Sequence, residues 1–374
     1  MTVATAEQQT TIRATRRQIT QIGYGVAFSG FLFLVMARVL THSNGEFGTY
    51  WASGRAATLG LNPYALYPQT VYLDPSQYGL HGLLPNFNLN PPIVLPLFRL
   101  LSHLSLDVFI TAWTIMTAVL FTVGVGLLII NQRQLQARQA VWLLLGSPAT
   151  VTVWCGQIYG LLFFLSTLAW FFNKKGRNVA AALAIGLAVA IKPTLVLWLV
   201  ILFIAGHRKL AMRSATVSAI SYAIPLVIYG PTIYREWLAV LHDDFHWMIP
   251  TNMSLIPFFT RIGLRFVGII VAVSIASAIA IWCYKMRPDF VAASGLGICA
   301  AILCGPLAWH QYIIFLGSFF VSRPWGRLAT LAAIPFLIPG RPWLAGSGLA
   351  YVIATGCILL YFLVASTAKA DNVG

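Results

Sequence analysis

Charge is what this chain has least of. Of 374 residues, 9% are Asp, Glu, Lys or Arg, whereas a soluble domain carries about 25%. Acidic residues are the scarcest: nine Asp and Glu stand against 24 Lys and Arg. With 59% hydrophobic residues and a mean hydropathy of +0.79, no stretch is left from which a soluble domain could be built. Regular apolar–polar alternation is also missing, which excludes an outer-membrane barrel. There is no phosphate-binding glycine loop, no dinucleotide fingerprint, no nucleophilic serine motif and no internal repeat. The five cysteines, Cys155, Cys283, Cys299, Cys304 and Cys357, lie in or beside apolar runs without metal-ligand spacing. They read as small buried hydrophobes. What remains is an all-α, polytopic helical membrane protein.

The net charge of +15 is not that of a nucleic-acid binder. Basic residues fall in short groups between apolar runs, as the positive-inside rule expects, and not in a continuous stripe among exposed aromatics. The expected surroundings are membrane lipids, with no nucleic acid. Residues 1–18 are polar and carry Arg13, Arg16 and Arg17 ahead of an apolar run that reaches Leu40. That run is too long for a signal-peptide core and no small-residue cleavage site follows it. The expectation is a cytoplasmic tail over 1–18, one transmembrane domain over 19–368 and a cytoplasmic tail over 369–374. Two long outer loops, 41–107 and 231–263, interrupt that domain.

Three apolar segments are bounded by positive charge at both ends: Val141 to Phe172, Val179 to Ala205 and Phe290 to Val321. Each is therefore expected to be a hairpin that starts and finishes in the cytoplasm. Their tips are Trp154-Cys155-Gly156-Gln157, Ile191-Lys192-Pro193 and Gly305-Pro306-Leu307-Ala308-Trp309-His310. The middle hairpin is short, so its tip should lie below the outer surface and line a cavity. A lysine there is costly unless an anion pairs with it. Eleven or twelve crossings result. Of the 24 Lys and Arg, only Arg38, Arg55, Arg99, Lys192, Arg235, Arg261, Arg265 and Arg341 fall outside the cytoplasmic segments, which supports the orientation.

The first outer loop opens with Asn44-Gly45-Glu46-Phe47-Gly48-Thr49-Tyr50-Trp51. Asn44 can cap a helix beginning near Gly45, and Gly60 followed by Asn62-Pro63 is a fitting stop. On that helix Glu46, Tyr50 and Gly54 share a face, with Ser53 and Ala57 beside them. Two readings stand: an interfacial amphipathic helix with its charge in water, or a polar face that a ligand approaches closely. A short apolar piece, Ile93 to Leu104, is too short to cross and should lie at the interface or dip in. In the second loop, His242 and His246 have metal-ligand spacing on a helix, but no third ligand is near. The segment reads as an exposed polar loop, and no metal is expected.

The wording from Glu46 to Tyr64, acidic-Phe-x-x-Tyr-Trp-x-small-Gly-x-Ala-Ala and then Gly60-Leu61-Asn62-Pro63-Tyr64, resembles the first outer loop of the glycosyltransferase family 87 enzymes. Later patches are similar to that family in the same order: Asn90-Pro91-Pro92, Gly156-Gln157, Lys192-Pro193, Asn252-x-Ser254-Leu255 and Trp309-His310-x-Tyr312. Where the family usually has Asp, this chain has Glu46. The resemblance implies a GT-C-type fold and a functional first outer loop. It implies polyprenol-phosphate-mannose-dependent transfer, with inversion, to a lipid-linked or glycan acceptor. The enzyme would sit in the cytoplasmic membrane with its active site on the extracytoplasmic face.

Such a reaction needs a base for the acceptor hydroxyl, cations for the leaving phosphate and an apolar groove for the lipid. Glu46 is the expected base, at the family's acidic position. Lys192, Arg261 and His310 are the expected phosphate-binding residues, His310 by the resemblance as well. Tyr50, Asn62, Tyr64, Asn90, Gln157, Asn252, Ser254 and Trp309 are the candidates for sugar or acceptor contacts. Blander roles stand beside these: Lys192 as a snorkelling lysine, Arg261 as a headgroup anchor, Trp309-His310 as an interfacial pair, and the amides as loop-tip hydrogen-bond formers. No cofactor is expected, because fixed cations suffice for a single phosphate. The rival reading is a transporter or flippase of a lipid-linked sugar, a class that places polar residues near the midplane, often in repeated halves.

Overall fold

The computed structural model describes residues 6–41, 47–65, 88–132, 135–242, 252–337 and 349–367. Among these the protein is helical throughout, and the one β-bridge joins Asn252 to Trp309. Five helices contain segments long and apolar enough to cross a bilayer: Thr20–Thr41, Leu106–Asn131, Arg208–Tyr229, Arg265–Met286 and Leu349–Thr367. The protein is thus an all-α polytopic membrane protein.

In chain order, α1 is Ala6–Thr41, α2 Phe47–Thr58, α3 Leu95–Leu101, α4 Leu106–Asn131, α5 Ala137–Leu145, α6 Ser147–Cys155 and α7 Tyr159–Lys174. Then follow α8 Asn178–Ile191, α9 Val196–Ile204, α10 Arg208–Tyr229, α11 Thr232–Leu241, α12 Leu255–Arg261, α13 Arg265–Met286 and α14 Phe290–Cys304. The last are α15 Gly317–Phe320, α16 Arg327–Ala333 and α17 Leu349–Thr367. Packing runs as a relay, with α4 on α7, α7 on α8, α8 and α9 on α10, α9 on α14 and α14 on α17. Trp113, Trp142 and Trp198 are fully buried in the core this relay creates.

The three hairpins are present as breaks between apolar helices, each with a local cause. Gly156 ends α6 in the left-handed region at φ 70, where an L side chain is strained. Pro193 follows Lys192 and cannot continue α8. Gly305-Pro306 ends α14. The arms are less regular than their composition suggests. The first is cut at Gly146, where a Cβ would strike the Trp142 carbonyl, and Pro148 restarts it as α6. The return arm of the third begins as a 3-10 helix over His310–Leu316. The middle hairpin is short as expected: α8 has 14 residues, about 21 Å of helix against a hydrocarbon core of about 30 Å.

Connectivity gives the bundle two ends. α7 leaves the first tip at Tyr159 and finishes at Lys174, near the start of α8; α9 finishes just before Arg208. One end therefore gathers the tips and loops and the other the basic clusters. At the loop end α2 lies flush on α3, because Gly54 has no Cβ where one would meet the Phe98 carbonyl. The apolar piece of the first loop is α3 with the 3-10 turn Pro92–Val94 before it. α2 stops as its sequence suggests, with Gly60 at φ 70 and Leu61 N–H donating to Ala56 O at 2.9 Å.

Candidate active site

The loop end is assembled from the hairpin tips inward. At the first tip, Tyr50 of α2 donates its hydroxyl to Gln157 Oε1 at 3.2 Å, and the hydroxyl oxygen accepts the Ile158 N–H at 3.4 Å. The Tyr50 ring stacks on Phe98, with centroids 4.5 Å apart, and is tilted against Trp113. Trp113 Nε1 donates to Gly156 O at 2.9 Å. Tyr50 and Gln157, expected to be near ligand, are thus in direct contact and both buried.

The second tip is where the three hairpins meet. Lys192 is 6% exposed. Its Nζ lies 4.5 Å from the Tyr312 ring centroid and 5.7 Å from that of Tyr159, and these two rings meet edge-on at 5.0 Å. Tyr159 opens α7 just past the first tip, and Tyr312 belongs to the return arm of the third hairpin. The second and third tips lie close together: a Cβ added at Gly305 would sit 3.9 Å from Thr194 Cβ. A buried ammonium gains from the π faces beside it and is costly where nothing offsets its lost hydration. What meets Lys192 from the third hairpin is the Tyr312 ring. His310 instead stacks on Tyr351 of α17, with centroids 5.2 Å apart, and its Nε2 is buried with no hydrogen-bond partner among the described residues.

The third tip is stitched to the second outer loop. Asn252 pairs with Trp309 in the β-bridge, and Met253 N–H donates to Ala308 O at 2.7 Å. Asn252 Oδ1 accepts from Ala308 N at 3.0 Å and Ser254 N at 3.3 Å. Ser254 Oγ donates to Gly305 O. Both side chains are fully buried and hold backbone, which gives them a positioning role rather than an open face toward sugar. Arg261 Nη1 donates to Asn252 O at 3.1 Å, and burial lowers its pKa. Trp309 is half-buried.

On the far side of α2 the first loop makes a strap. Asn62 Oδ1 accepts the Tyr64 N–H at 2.8 Å, a turn built by asparagine. Tyr64 OH donates to Asn90 O at 3.0 Å, and Asn88 Nδ2 donates to Ser53 Oγ at 2.8 Å. Trp237 of α11 donates to Leu89 O at 3.2 Å. Burial first, then Tyr234, Glu236 and Tyr229, pushes the Tyr64 pKa well above the tyrosine range, so it stays a donor. Burial also raises the pKa of Glu236.

Glu46 lies outside the described residues, as do Asn44, Gly45, Asp243, Asp244 and His246. The described chain resumes at Phe47, buried at the first tip. His242 ends α11 with Nδ1 2.8 Å from Leu238 O. Residues that the sequence left unassigned but the site uses are Arg38, Ser53, Asn88, Tyr159 and Tyr312. Tyr159 had a signal, an aromatic two positions after the Gly156-Gln157 tip. Arg38 had one too, a charge inside an apolar span.

The fold and the site define an all-α membrane bundle that encloses a buried lysine between tyrosines at its loop end. The profile of glycosyltransferase family 87 matches residues 88–309, more than half of the chain, and the protein belongs to that family. It is a membrane glycosyltransferase, which sets aside the transporter reading. No curated protein and no solved structure matches the chain.

Proposed function

We propose that the enzyme moves a sugar, mannose by its family, from a polyprenyl-phosphate donor to a lipid-linked or glycan acceptor, with inversion, on the extracytoplasmic face of the cytoplasmic membrane. The observation carrying this reading is the meeting of the three hairpin tips at Lys192. An anionic leaving group fits there: its charge meets the Lys192 ammonium in a water-poor site, where electrostatic stabilisation is strongest. Arg261, bonded to Asn252 O, and His310, stacked on Tyr351, are the further phosphate-binding candidates, and the His310 Nε2 has capacity for one further hydrogen bond. In the transfer, the Glu46 carboxylate takes the proton of the acceptor hydroxyl as its oxygen attacks the anomeric carbon. The bond from that carbon to the phosphate oxygen breaks, and its electron pair leaves with the polyprenyl phosphate. Attack opposite the leaving group inverts the centre. Tyr50, Gln157, Tyr64, Asn62, Asn90 and Trp309 shape the acceptor side, with Asn252 and Ser254 holding the third tip in place.

The test is sugar transfer by purified protein from a synthetic polyprenyl-phosphate sugar, with the product anomer read by NMR, beside membrane-impermeant labelling of single cysteines in intact cells at Asn62 and at Trp154 and Pro306, which are exposed at the first and third tips. Expected are inverted product and labelling from outside. Retention of configuration, or labelling of Trp154 only from the cytoplasmic side, would sink the reading.

A further inference from the structure

Arg38 stands near the end of α1, in an otherwise apolar span, and is 0% exposed. A snorkelling arginine would reach water; this one turns inward. Its Nε donates to Trp154 O at 2.8 Å, and its guanidinium carbon lies 4.4 Å from the centroid of the Phe47 ring. Phe47 is also pressed by the first tip, since a Cβ on Gly156 would strike the ring. Three residues on, Tyr50 is bonded to Gln157 and Ile158. The first turn of α2 is therefore fastened to the same tip at two points, and at one of them the fastener is a buried cation.

Packing alone does not call for that cation. An apolar side chain would fill the space beside Phe47 without the desolvation of a guanidinium. The residue bonded to Phe47 along the chain is Glu46, one of two carboxylates between the end of α1 and the start of α3, the other being Asp74. We infer that Arg38 is a positioning residue for the glycosyl transfer: by clamping Phe47 to the first tip it fixes the first turn of α2, the turn that follows Glu46 in the chain. The inference rests on Glu46 being the base. Misplacing a reacting group by about 1 Å can cost roughly 100-fold, so the clamp acts on turnover and not on donor binding.

The test uses the full chain in detergent, with wild type, Arg38→Met, Glu46→Gln and the double variant, measuring kcat and the donor KM for a polyprenyl-phosphate sugar. Expected is a roughly 10- to 100-fold fall in kcat for Arg38→Met with KM changed by less than about threefold. The double variant should be no slower than Glu46→Gln alone, because the clamp has no carboxylate left to place. Losses that multiply in the double variant, or a loss confined to KM, would overturn the inference. So would full turnover in Arg38→Met beside an inactive Glu46→Gln, which leaves the base reading standing. Full turnover in Glu46→Gln would instead remove the base reading itself. Should Arg38→Met fail to fold, Arg38→Lys, which keeps charge and bulk but loses the planar stack, is judged by the same two readouts.

Discussion

At the basic end of the bundle, Lys174 and Lys175 stand exposed, with Nζ 5.2 and 5.9 Å from the ring centroids of Trp170 and Phe171. At the loop end, Lys192 is buried with Nζ 4.5 Å from Tyr312. The pairing of lysine with an aromatic ring is the same; the solvent is not. An exposed cation–π contact is worth about 0.5–1 kcal/mol and a desolvated one about 2 or more. The contrast extends to arginine. Arg287 and Arg138 at the basic end are exposed while they donate to Ile204 O and Trp325 O, whereas Arg38 is shut inside. Charges at one end are anchors that water shares. Lys192 and Arg38 at the other are held dry, a costly state that persists where the surroundings fix them in place.

The comparison breaks most decisively at Glu46. Glu46→Gln keeps size and most hydrogen bonding but removes the base, so kcat should fall roughly 10²–10⁴-fold with donor affinity intact. Glu46→Asp restores the residue usual in the family at the cost of one methylene of reach, and should keep partial activity. If Glu46→Gln turns over within a few-fold of wild type, the base is another residue of the loop end.

Next in size is Lys192. Losing a charge-assisted contact of about 1.5–3 kcal/mol corresponds to a roughly 10- to 150-fold loss in kcat/KM for Lys192→Met, with folded yield preserved because methionine fills the stem's space between the tyrosines. Titrating donor into the purified variant separates the roles. Unchanged donor affinity would make Lys192 an anchor like Lys174, and the two ends of the bundle would no longer differ.

Much of this was legible because membrane proteins write their topology in two coarse signals, apolar length and the placement of Lys and Arg. Those signals located all three tips, including Lys192 before Pro193, without any appeal to family. The partners at the tips were not legible. Asn252 and Ser254 read as sugar contacts because amides and hydroxyls in loops do bind sugars, yet their atoms hold the Ala308 N–H and the Gly305 carbonyl. No periodicity pairs a residue of one hairpin with a residue fifty positions away. His310 and Tyr312 show the same limit. A helix of unknown pitch leaves open which ring faces the lysine, and the 3-10 winding of this arm turns Tyr312 toward it and His310 toward Tyr351. Arg38 was visible as a misplaced charge, but nothing in its composition says that the ring it meets is Phe47, nine positions on.

A smaller effect sharpens the comparison within the loop end. Tyr50→Phe keeps the stack on Phe98 but leaves Gln157 Oε1 and the Ile158 N–H without the hydroxyl between them, both in buried surroundings. The expected cost is about 1–3 kcal/mol of stability, read as a lower midpoint in thermal unfolding in detergent, with a drop in turnover smaller than that of Lys192→Met. A midpoint equal to wild type would mean that the first tip does not depend on this contact.

The smallest effect belongs at the basic end, and it should be nearly silent. Asp289 accepts from Ala292 N at 2.9 Å as the N-cap of α14 and pairs with Arg323 at 2.6 Å, their side chains 29% and 27% exposed. Asp289→Asn keeps a good cap and removes only the charge. Arg323 retains its bond to Ala365 O at 3.1 Å, so the guanidinium is not left without a partner. A pair this accessible to water contributes about 0–1 kcal/mol and is weakened by salt. The variant should unfold within a few degrees of wild type, the difference shrinking at high salt, and turn over at the same rate, since the whole length of α14 separates Asp289 from the third tip. Asp289→Ala, which also removes the cap, should cost about 1 kcal/mol more. A change in donor KM in Asp289→Asn would mean that the basic end shapes the site at the loop end, and the division between held charges and anchoring charges would have to be redrawn.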